Sequence, residues 1–293
     1  MKYRKAIVFG GSGFLGSHVA DTLTKNGYQV TIYDKRKSKY ISKNQKMIIG
    51  EILDFEKINH AIKDNEIVFN FAGIADIDDC HNNPTDTVKY NILGNTNILE
   101  ASVKNSVKKF LFSSSAYVYS SAGSFYKISK QASESITESF FDLHGIKYTI
   151  LRYGSLYGER ASSKNSIYKI IDEAVKQKKI NYYGDGTENR EFIHVKDAAE
   201  LSLQAIEEKY DNKILMLTGS KSIQYIDLLN MIKEILNDEV RINMHPNRSK
   251  THYKMSPYSF NPSVARKLVL NPHIDLGQGL LSLIDNIHNQ NKL

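Results

Sequence analysis

KAIVFGGSGFLG, residues 5–16, decides how the chain is read. Ala6 to Phe9 form an unbroken apolar run, the pattern of a strand buried on both faces. A glycine-rich turn follows, and then the helical pattern SHVADTLTKNG over 17–27. Strand, glycine turn and helix together are the context in which such a motif binds a dinucleotide. The glycines read as GxxGxxG through Gly10, Gly13 and Gly16, or as GxGxxG through Gly11, Gly13 and Gly16. The chemistry is the same in both frames. Glycine permits the tight turn, lets the backbone approach a pyrophosphate and allows the helix to pack on the strand, while the helix N-terminus attracts negative charge.

Asp34 closes the second apolar run, QVTIY, about 20 residues beyond the glycines, where a carboxylate hydrogen-bonds the adenosine ribose hydroxyls and repels a 2′-phosphate. That favours NAD over NADP. Lys35 and Arg36 follow at once, able to accommodate a phosphate or to sit in solvent.

Working outward, KAIVFG, QVTIYD, KMIIGE, IVFNFAG, KKFLFSS and KYTILRYG read as strands. They alternate with SHVADTLTKNG, DFEKINHAIKD, TVKYNILGNTNILEASVKN and SKQASESITESFFDLHG, which read as helices. This alternation predicts an α/β fold, a parallel sheet covered by helices on both faces. After residue 155 the rhythm loosens, and YGDGTENRE, KDAAELSLQAIEEK, YIDLLNMIKEILND and LGQGLLSLIDNIH suggest a smaller lobe. The expected division is a dinucleotide-binding domain over 1–155 with a returning segment near 187–208, and a lobe made of 156–186 and 209–293. The active site is expected in the crevice between them.

Composition narrows the classes. The chain has 293 residues, 41% hydrophobic and 24% charged, so it can bury a large core and is not disordered. Cys80 is the single cysteine, which excludes an internal disulfide, and no metal-ligand cluster is evident. A reducing cytoplasm is the expected compartment. The start, though charged then apolar, is broken by glycines and reads as mature protein. No run approaches the roughly 18 apolar residues of a membrane span. The net charge of +7 comes from scattered lysines, without the basic stripe and interleaved aromatics of a nucleic-acid binder. Neither nucleic acid nor membrane is expected as a partner.

Residues 113–130 read SSSAYVYSSAGSFYKISK. Tyr126 and Lys130 stand four apart, on one face of a helix. An ammonium beside a phenol favours the phenolate, so the tyrosine is able to act as a general base.

These segments resemble the extended short-chain dehydrogenase/reductase family, the nucleotide-sugar epimerases, dehydratases and dehydrogenases. GGSGFLGSH, FNFAG, YNILGNTNILEA, FSSSAYVY, YKISK, LRYGSLYG and GDGTENREFIHVKD occur in the family's order along essentially the whole chain. The resemblance implies a Rossmann-type doubly wound parallel sheet with a smaller mixed C-terminal substrate lobe. It implies NAD as cofactor and a nucleotide-diphosphate sugar as substrate. Ser115, Tyr126 and Lys130 would be the catalytic triad: Ser115 holds the substrate oxygen, Tyr126 takes its proton, and Lys130 lowers the tyrosine pKa while gripping the nicotinamide ribose. Phe14 and Leu15 would cover the pyrophosphate, Glu51 and Ile52 flank the adenine, and Phe71, Ala72, Gly73 and Tyr153 line the cofactor. Lys35 would neighbour the cofactor beside Asp34, and Asn91 would support the site from a neighbouring helix or merely pin that helix. Ser155 and Arg190 would bind the substrate, Arg190 clamping the diphosphate.

Departures from the family refine the expectation. Dehydratases of the family carry an Asp-Glu pair where this chain has Ala116 and Tyr117, which disfavours elimination of water. Oxidation of a ring hydroxyl remains, most often at C4, either ending there as a dehydrogenase or continuing to a 4-epimer with retained NAD. A bacterial-type surface polysaccharide precursor is the implied product. The segment between Ser115 and Tyr126 is short for the family, leaving room for a sugar as large as a heptose. Ser155 replaces a frequent asparagine, and a second clamp arginine is not evident before NPSVARK, where Arg266 lies slightly beyond. A non-catalytic dinucleotide-binding or RNA-associated protein of the same fold is the reading from another class, and the intact triad argues against it. Relatives pair two long helices per subunit, here about 87–104 and 124–144 with Phe140, Phe141 and Leu143, so a homodimer or homotetramer is expected.

Overall fold

The computed structural model describes residues 4–120, 122–245 and 266–290. Along the chain run β1 (Lys5–Phe9), α1 (Phe14–Lys25), β2 (Gln29–Asp34), β3 (Gln45–Ile49), α2 (Phe55–Ile62), β4 (Ile67–Asn70), α3 (Ile77–Asn82), α4 (Pro84–Thr87), α5 (Gly94–Lys104), β5 (Lys109–Ser115), α6 (Ser124–His144) and β6 (Lys147–Tyr153). The second part contains β7 (Ser155–Tyr157), α7 (Ser166–Gln177), β8 (Lys179–Tyr183), β9 (Asn189–His194), α8 (Val195–Gln204), β10 (Lys213–Leu217), β11 (Ser222–Gln224), α9 (Tyr225–Ile235), β12 (Arg241–His245), β13 (Arg266–Leu268) and α10 (Leu276–Gln290).

An eight-stranded sheet has the order β13-β10-β6-β5-β4-β1-β2-β3, and every neighbouring pair is parallel. The middle strands are buried because both faces are covered, β4 throughout and β1 from Ala6 onward. In β1, Ala6 and Val8 enter one core with Leu15, Val19 and Leu23 of α1 and Val195, Ala198 and Leu201 of α8. Ile7 and Phe9 enter the opposite core with Ile58 and Ile62 of α2 and Ile98 and Leu99 of α5. The period of two assigns alternate residues to opposite layers, and each buried Ile, Leu or Phe contributes roughly 1.5–3 kcal/mol.

A smaller lobe packs its own core from α7, α9 and α10, with Ile171, Leu228, Leu229 and Leu283 at its centre. It carries the sheet β11-β9-β7 and the pair β12-β8. The expected division needs correction here. Residues 213–217 and 266–268, placed in the lobe from the sequence, are β10 and β13 of the large sheet. KILML is as apolar as the earlier strands and RKL has a single apolar residue, so neither says locally which sheet it joins. The returning segment contributes α8 to the α1 side of the large sheet, whereas β9 belongs to the small one.

A second difference concerns the helix expected over 87–105. It is interrupted by a π turn, Val88–Leu93, whose wider ladder is closed by the Gly94 amide donating to the Lys89 carbonyl. Such turns insert a residue and redirect side chains, often at functional sites. Of the apolar residues expected on an outer helix face, Phe140 and Phe141 pack against the core and Leu143 is exposed; Val88, Leu93 and Ile128 on the same segments are exposed too. Among the described residues no helix is long and apolar enough to cross a membrane.

Candidate active site

β1 and β4 are neighbours in the sheet although β2 and β3 lie between them in sequence. Their C-terminal ends therefore form the crevice where the strand order reverses, the usual ligand site of such sheets. The glycine turn stands there. Gly10 has φ +75°, and a Cβ on it would lie 2.7 Å from the Phe71 carbonyl carbon and the Ala72 nitrogen. A Cβ on Gly16 would lie 2.3 Å from the Gly10 carbonyl oxygen. Gly13 donates its amide to Gly10 O at 3.0 Å and precedes α1, whose first turn has neither a side-chain cap nor an acidic residue. The donors and the positive end of α1 thus remain available to an anion. This cradle, closed to side chains and open to a phosphate, fits a dinucleotide pyrophosphate.

Asp34 is half-buried at the end of β2. Its carboxylate accepts the Ser12 amide at 3.0 Å and the Arg36 amide at 3.1 Å, which fixes it beside the turn. Acceptor capacity remains for ribose hydroxyls. Lys35 is exposed, its ammonium 5.1 Å from the Tyr90 ring centroid. The Glu51 side chain is exposed and its carbonyl accepts the Tyr33 hydroxyl at 3.0 Å, while Ile52 is buried against Gly94. Phe14 is half-buried, and Leu15, expected over the pyrophosphate, is a core residue.

Beyond β4, Phe71 stacks on Phe69 at 6.0 Å, the Ala72 amide is held by Asn70 Oδ1 at 3.0 Å, and Gly73 takes φ +139°. Asn91 explains that last turn. Its Oδ1 accepts the Ile74 amide at 2.7 Å, and its Nδ2 donates to the Ile74 carbonyl and to Ser129 Oγ, each at 3.0 Å. Asn91 therefore ties the β4 exit to α6. Tyr153, expected along the cofactor, is only 4% exposed and its hydroxyl bonds Ser202 Oγ at 2.7 Å inside the core. Burial raises its pKa, with Ser202 acting the other way. Its nearest link to the crevice is the Phe71 ring, 6.4 Å away.

Ser115 ends β5 and accepts the Tyr117 amide at 3.2 Å, capping a 3-10 turn over Ala116–Tyr119. The Tyr117 ring meets Tyr126 edge-on at 6.1 Å. Lys130, one turn further along α6, places its ammonium 5.9 Å from the Tyr126 ring centroid and donates to the Ser113 carbonyl at 2.8 Å. The expected Ser, Tyr and Lys are thus joined by short links across β5 and α6. Burial pushes Lys130 down to about 8, while Cys80 and Glu134 act the other way. Poised so close to neutrality, its charge depends on its neighbours.

Two neighbours were not foreseen. Glu134, four residues beyond Lys130, and Arg152 of β6 form a buried ion pair at 2.6 Å. Glu134 is legible as the next residue on the same helix face, but nothing in the sequence shows that it points inward.

Ser155 and Arg190 lie on the small sheet, where Ser155 pairs with Phe192, two residues along β9 from Arg190. Arg190 is 5% exposed, donates to the Asn189 carbonyl at 2.9 Å and lies over the Tyr225 ring at 5.7 Å. The backbone of Arg266 begins β13, and the stretch 253–265, where the family's second clamp arginine is expected, lies outside the described residues. A cavity of about 300 Å³ lined by Tyr157, His194, Asp197, Thr218, Met231 and Leu270 among others holds none of the expected triad or cradle residues. No cluster of metal-ligating side chains occurs among the described residues.

Comparison with known proteins agrees with this geometry. The chain is 30% identical to a Methanocaldococcus jannaschii protein provisionally named a UDP-glucose 4-epimerase, over 98% of this chain and 99% of that one. It is 31% identical to the UDP-N-acetyl-alpha-D-glucosaminuronate decarboxylase of Bacillus cytotoxicus, over 76% of this chain and 78% of the relative. Among solved structures, the UDP-glucose 4-epimerase of Thermotoga maritima with UDP-glucose superposes with a TM-score of 0.85 at 26% identity, covering 98% and 99% of the two chains. Residues 6–216 match the model of the NAD dependent epimerase/dehydratase family, to which this chain belongs.

Proposed function

We propose that the protein is a nucleotide-sugar 4-epimerase that retains NAD, oxidising the C4 hydroxyl of a UDP-sugar and returning the hydride to the opposite face. The observation that carries the oxidation is the site at the end of β5, and the likeness over nearly the whole chain to a protein provisionally named a UDP-glucose 4-epimerase favours return of the hydride over release of a keto sugar. Lys130 is buried against Tyr126, with Ser115 two residues from the carbonyl that holds it, and Ala116 and Tyr117 offer no carboxylate for elimination.

The glycine turn and Asp34 would hold NAD, which when bound would supply a hydride acceptor able to give the hydride back. The protein's part is to place and deprotonate. Ser115 Oγ holds the C4 oxygen, and Tyr126 takes the hydroxyl proton as the carbon is oxidised. Lys130, as an ammonium, favours the phenolate that makes this possible. After the keto sugar turns, Tyr126 returns the proton and the 4-epimer leaves. Atoms and charge balance without a second substrate. Arg190 and Ser155 are proposed diphosphate and sugar contacts, a homodimer or homotetramer through the faces of 87–104 and 124–144 the assembly, and polysaccharide precursor synthesis the setting.

The test is to incubate the purified protein, without added NAD, with UDP-glucose, UDP-N-acetylglucosamine and UDP-glucuronate, and to follow C4 epimers by NMR. Epimer should form, and Tyr126→Phe should slow it by about 100-fold or more while still releasing NAD on denaturation. Keto product with stoichiometric free NADH would instead identify a dehydrogenase. Unchanged turnover in Tyr126→Phe would refute the catalytic assignment.

A further inference from the structure

We propose that the buried Glu134–Arg152 pair is a positioning device for the catalytic centre, clamping α6 to β5 and giving Lys130 its compensating carboxylate. The inference rests on the roles proposed above for Ser115, Tyr126 and Lys130.

Glu134 gathers three bonds. Its Oε1 accepts Ser114 Oγ at 2.5 Å and Arg152 Nε at 2.8 Å, and its Oε2 accepts an Arg152 terminal nitrogen at 2.6 Å. Ser114 and Arg152 are register partners on β5 and β6, so one carboxylate from α6 straddles both strands. Ser114 is flanked by Ser113, whose carbonyl holds Lys130, and by Ser115. The other terminal nitrogen of Arg152 meets the Tyr119 hydroxyl, at the end of the 3-10 turn that Ser115 caps. A movement of Glu134 would therefore be felt at Lys130, Ser115 and Tyr119 together.

Stability is a weak reason for such a pair. Both side chains are only 7% exposed, and desolvation of a buried pair commonly cancels its attraction, so apolar residues of the same volume would serve the fold as well. The surroundings of Lys130 supply a better reason. From α6 it faces Tyr126 and Glu134, from α3 Cys80, and from β5 the Ser113 carbonyl and the Phe112 ring, 5.0 Å away. Glu134 in turn faces Arg152, Glu138 and Tyr119. Burial raises the Cys80 thiol, leaving it neutral near physiological pH, and burial likewise raises Glu138. Glu134 is the carboxylate that opposes the desolvation of Lys130. Although burial pulls Arg152 down, the bonds and charge of Glu134 hold it above its ordinary value, so the guanidinium stays charged.

The decisive variant is Glu134→Gln, which keeps the side chain's shape and removes its charge. The stranded guanidinium then favours neutral Lys130, which no longer supports the phenolate. The acidic limb of kcat should rise by about one pH unit, roughly tenfold slower near neutral pH, with KM for the UDP-sugar little changed. The phenolate absorbance of Tyr126, taken as the difference from the same protein carrying Tyr126→Phe, should shift upward equally. Glu134→Gln with Arg152→Met removes both charges and should show a smaller upward shift. It also carries the test if the single variant does not fold. A lowered melting temperature with the phenolate midpoint and acidic limb unmoved in the folded variants would reduce the pair to a structural brace and overturn the proposal. The absorbance titration needs no substrate, so failure to epimerise any sugar would refute the proposed function while leaving this test intact.

Discussion

His194 makes the protein's stability fall in mild acid by an amount the structure allows to be worked out. The ring is 2% exposed and lies edge-on to Tyr157 at 5.2 Å. Its Nδ1 accepts the Lys196 amide at 3.4 Å, capping α8, and Nε2 faces the Glu159 carboxylate at 3.5 Å. Burial drives its pKa from 6.5 to about 4, outweighing Glu159, with Lys196 and His18 acting in the same direction as burial. The unfolded chain therefore takes up a proton that the folded one refuses. The contribution is complete above pH 6.5 and is lost as pH falls from 6.5 towards 4. At pH 5 the open interval is about 1.5 units, which at about 1.4 kcal/mol per unit is about 2 kcal/mol. Glu159 does not confuse the reading. Burial would raise it, but the bonds from Lys196 and Ser282 hold it down to about 2, so it stays ionised at pH 5. His18, also lowered by burial, adds in the same sense as His194, so the comparison must be between variants. His194→Asn keeps a capping acceptor and removes the titration. In urea unfolding at about pH 7.5 and about pH 5, wild type should lose about 2 kcal/mol more than His194→Asn. Equal losses, to within about 0.5 kcal/mol, would refute the account.

Gly16→Ala places a Cβ 2.3 Å from the Gly10 carbonyl oxygen and must open the turn. A stability loss of about 1–3 kcal/mol is expected, together with protein purified largely free of NAD; an unaltered melting temperature and full NAD content would contradict the cradle. Asp34→Ala removes the acceptor of the Ser12 amide and the proposed ribose contact. NAD affinity measured by calorimetry should fall about 10- to 100-fold, with NADP affected less; equal losses for both cofactors would show that Asp34 does not discriminate between them.

Much of this was legible because the responsible physics is local. The first six strands are short apolar runs bounded by turn residues, and all six join the parallel sheet in the structure. Glycines at 10, 13 and 16 report a backbone requirement directly, and the spacing of Tyr126 and Lys130 is a property of any helix. The π turn at Val88–Leu93 was not legible; Asn91 within it bonds to Ile74 and Ser129, partners distant in sequence. The inward packing of Tyr153 was hidden for a related reason. The residue follows Arg152 on a strand whose alternation puts one side chain in each layer, and the layer of Tyr153 contains Ser202. The Glu134–Arg152 pair was hidden because charged residues usually lie at the surface, and only the packing of α6 on β5 and β6 makes these the exception.

The late arrival of β10 and β13 in the large sheet bears on how the molecule is made. Sheet order places β6 beside β10, and β10 beside β13, so a nascent chain that has completed β6 still shows a raw hydrogen-bonding edge. That edge is covered only once residues 213–217 have left the ribosome, and β10 in turn waits for residues 266–268. A fragment ending near residue 155 would carry the whole cofactor cradle and yet expose β6 to any other strand. The chain's two halves are therefore one folding unit, and cutting it at its apparent domain boundary should yield aggregate rather than a small nucleotide-binding domain.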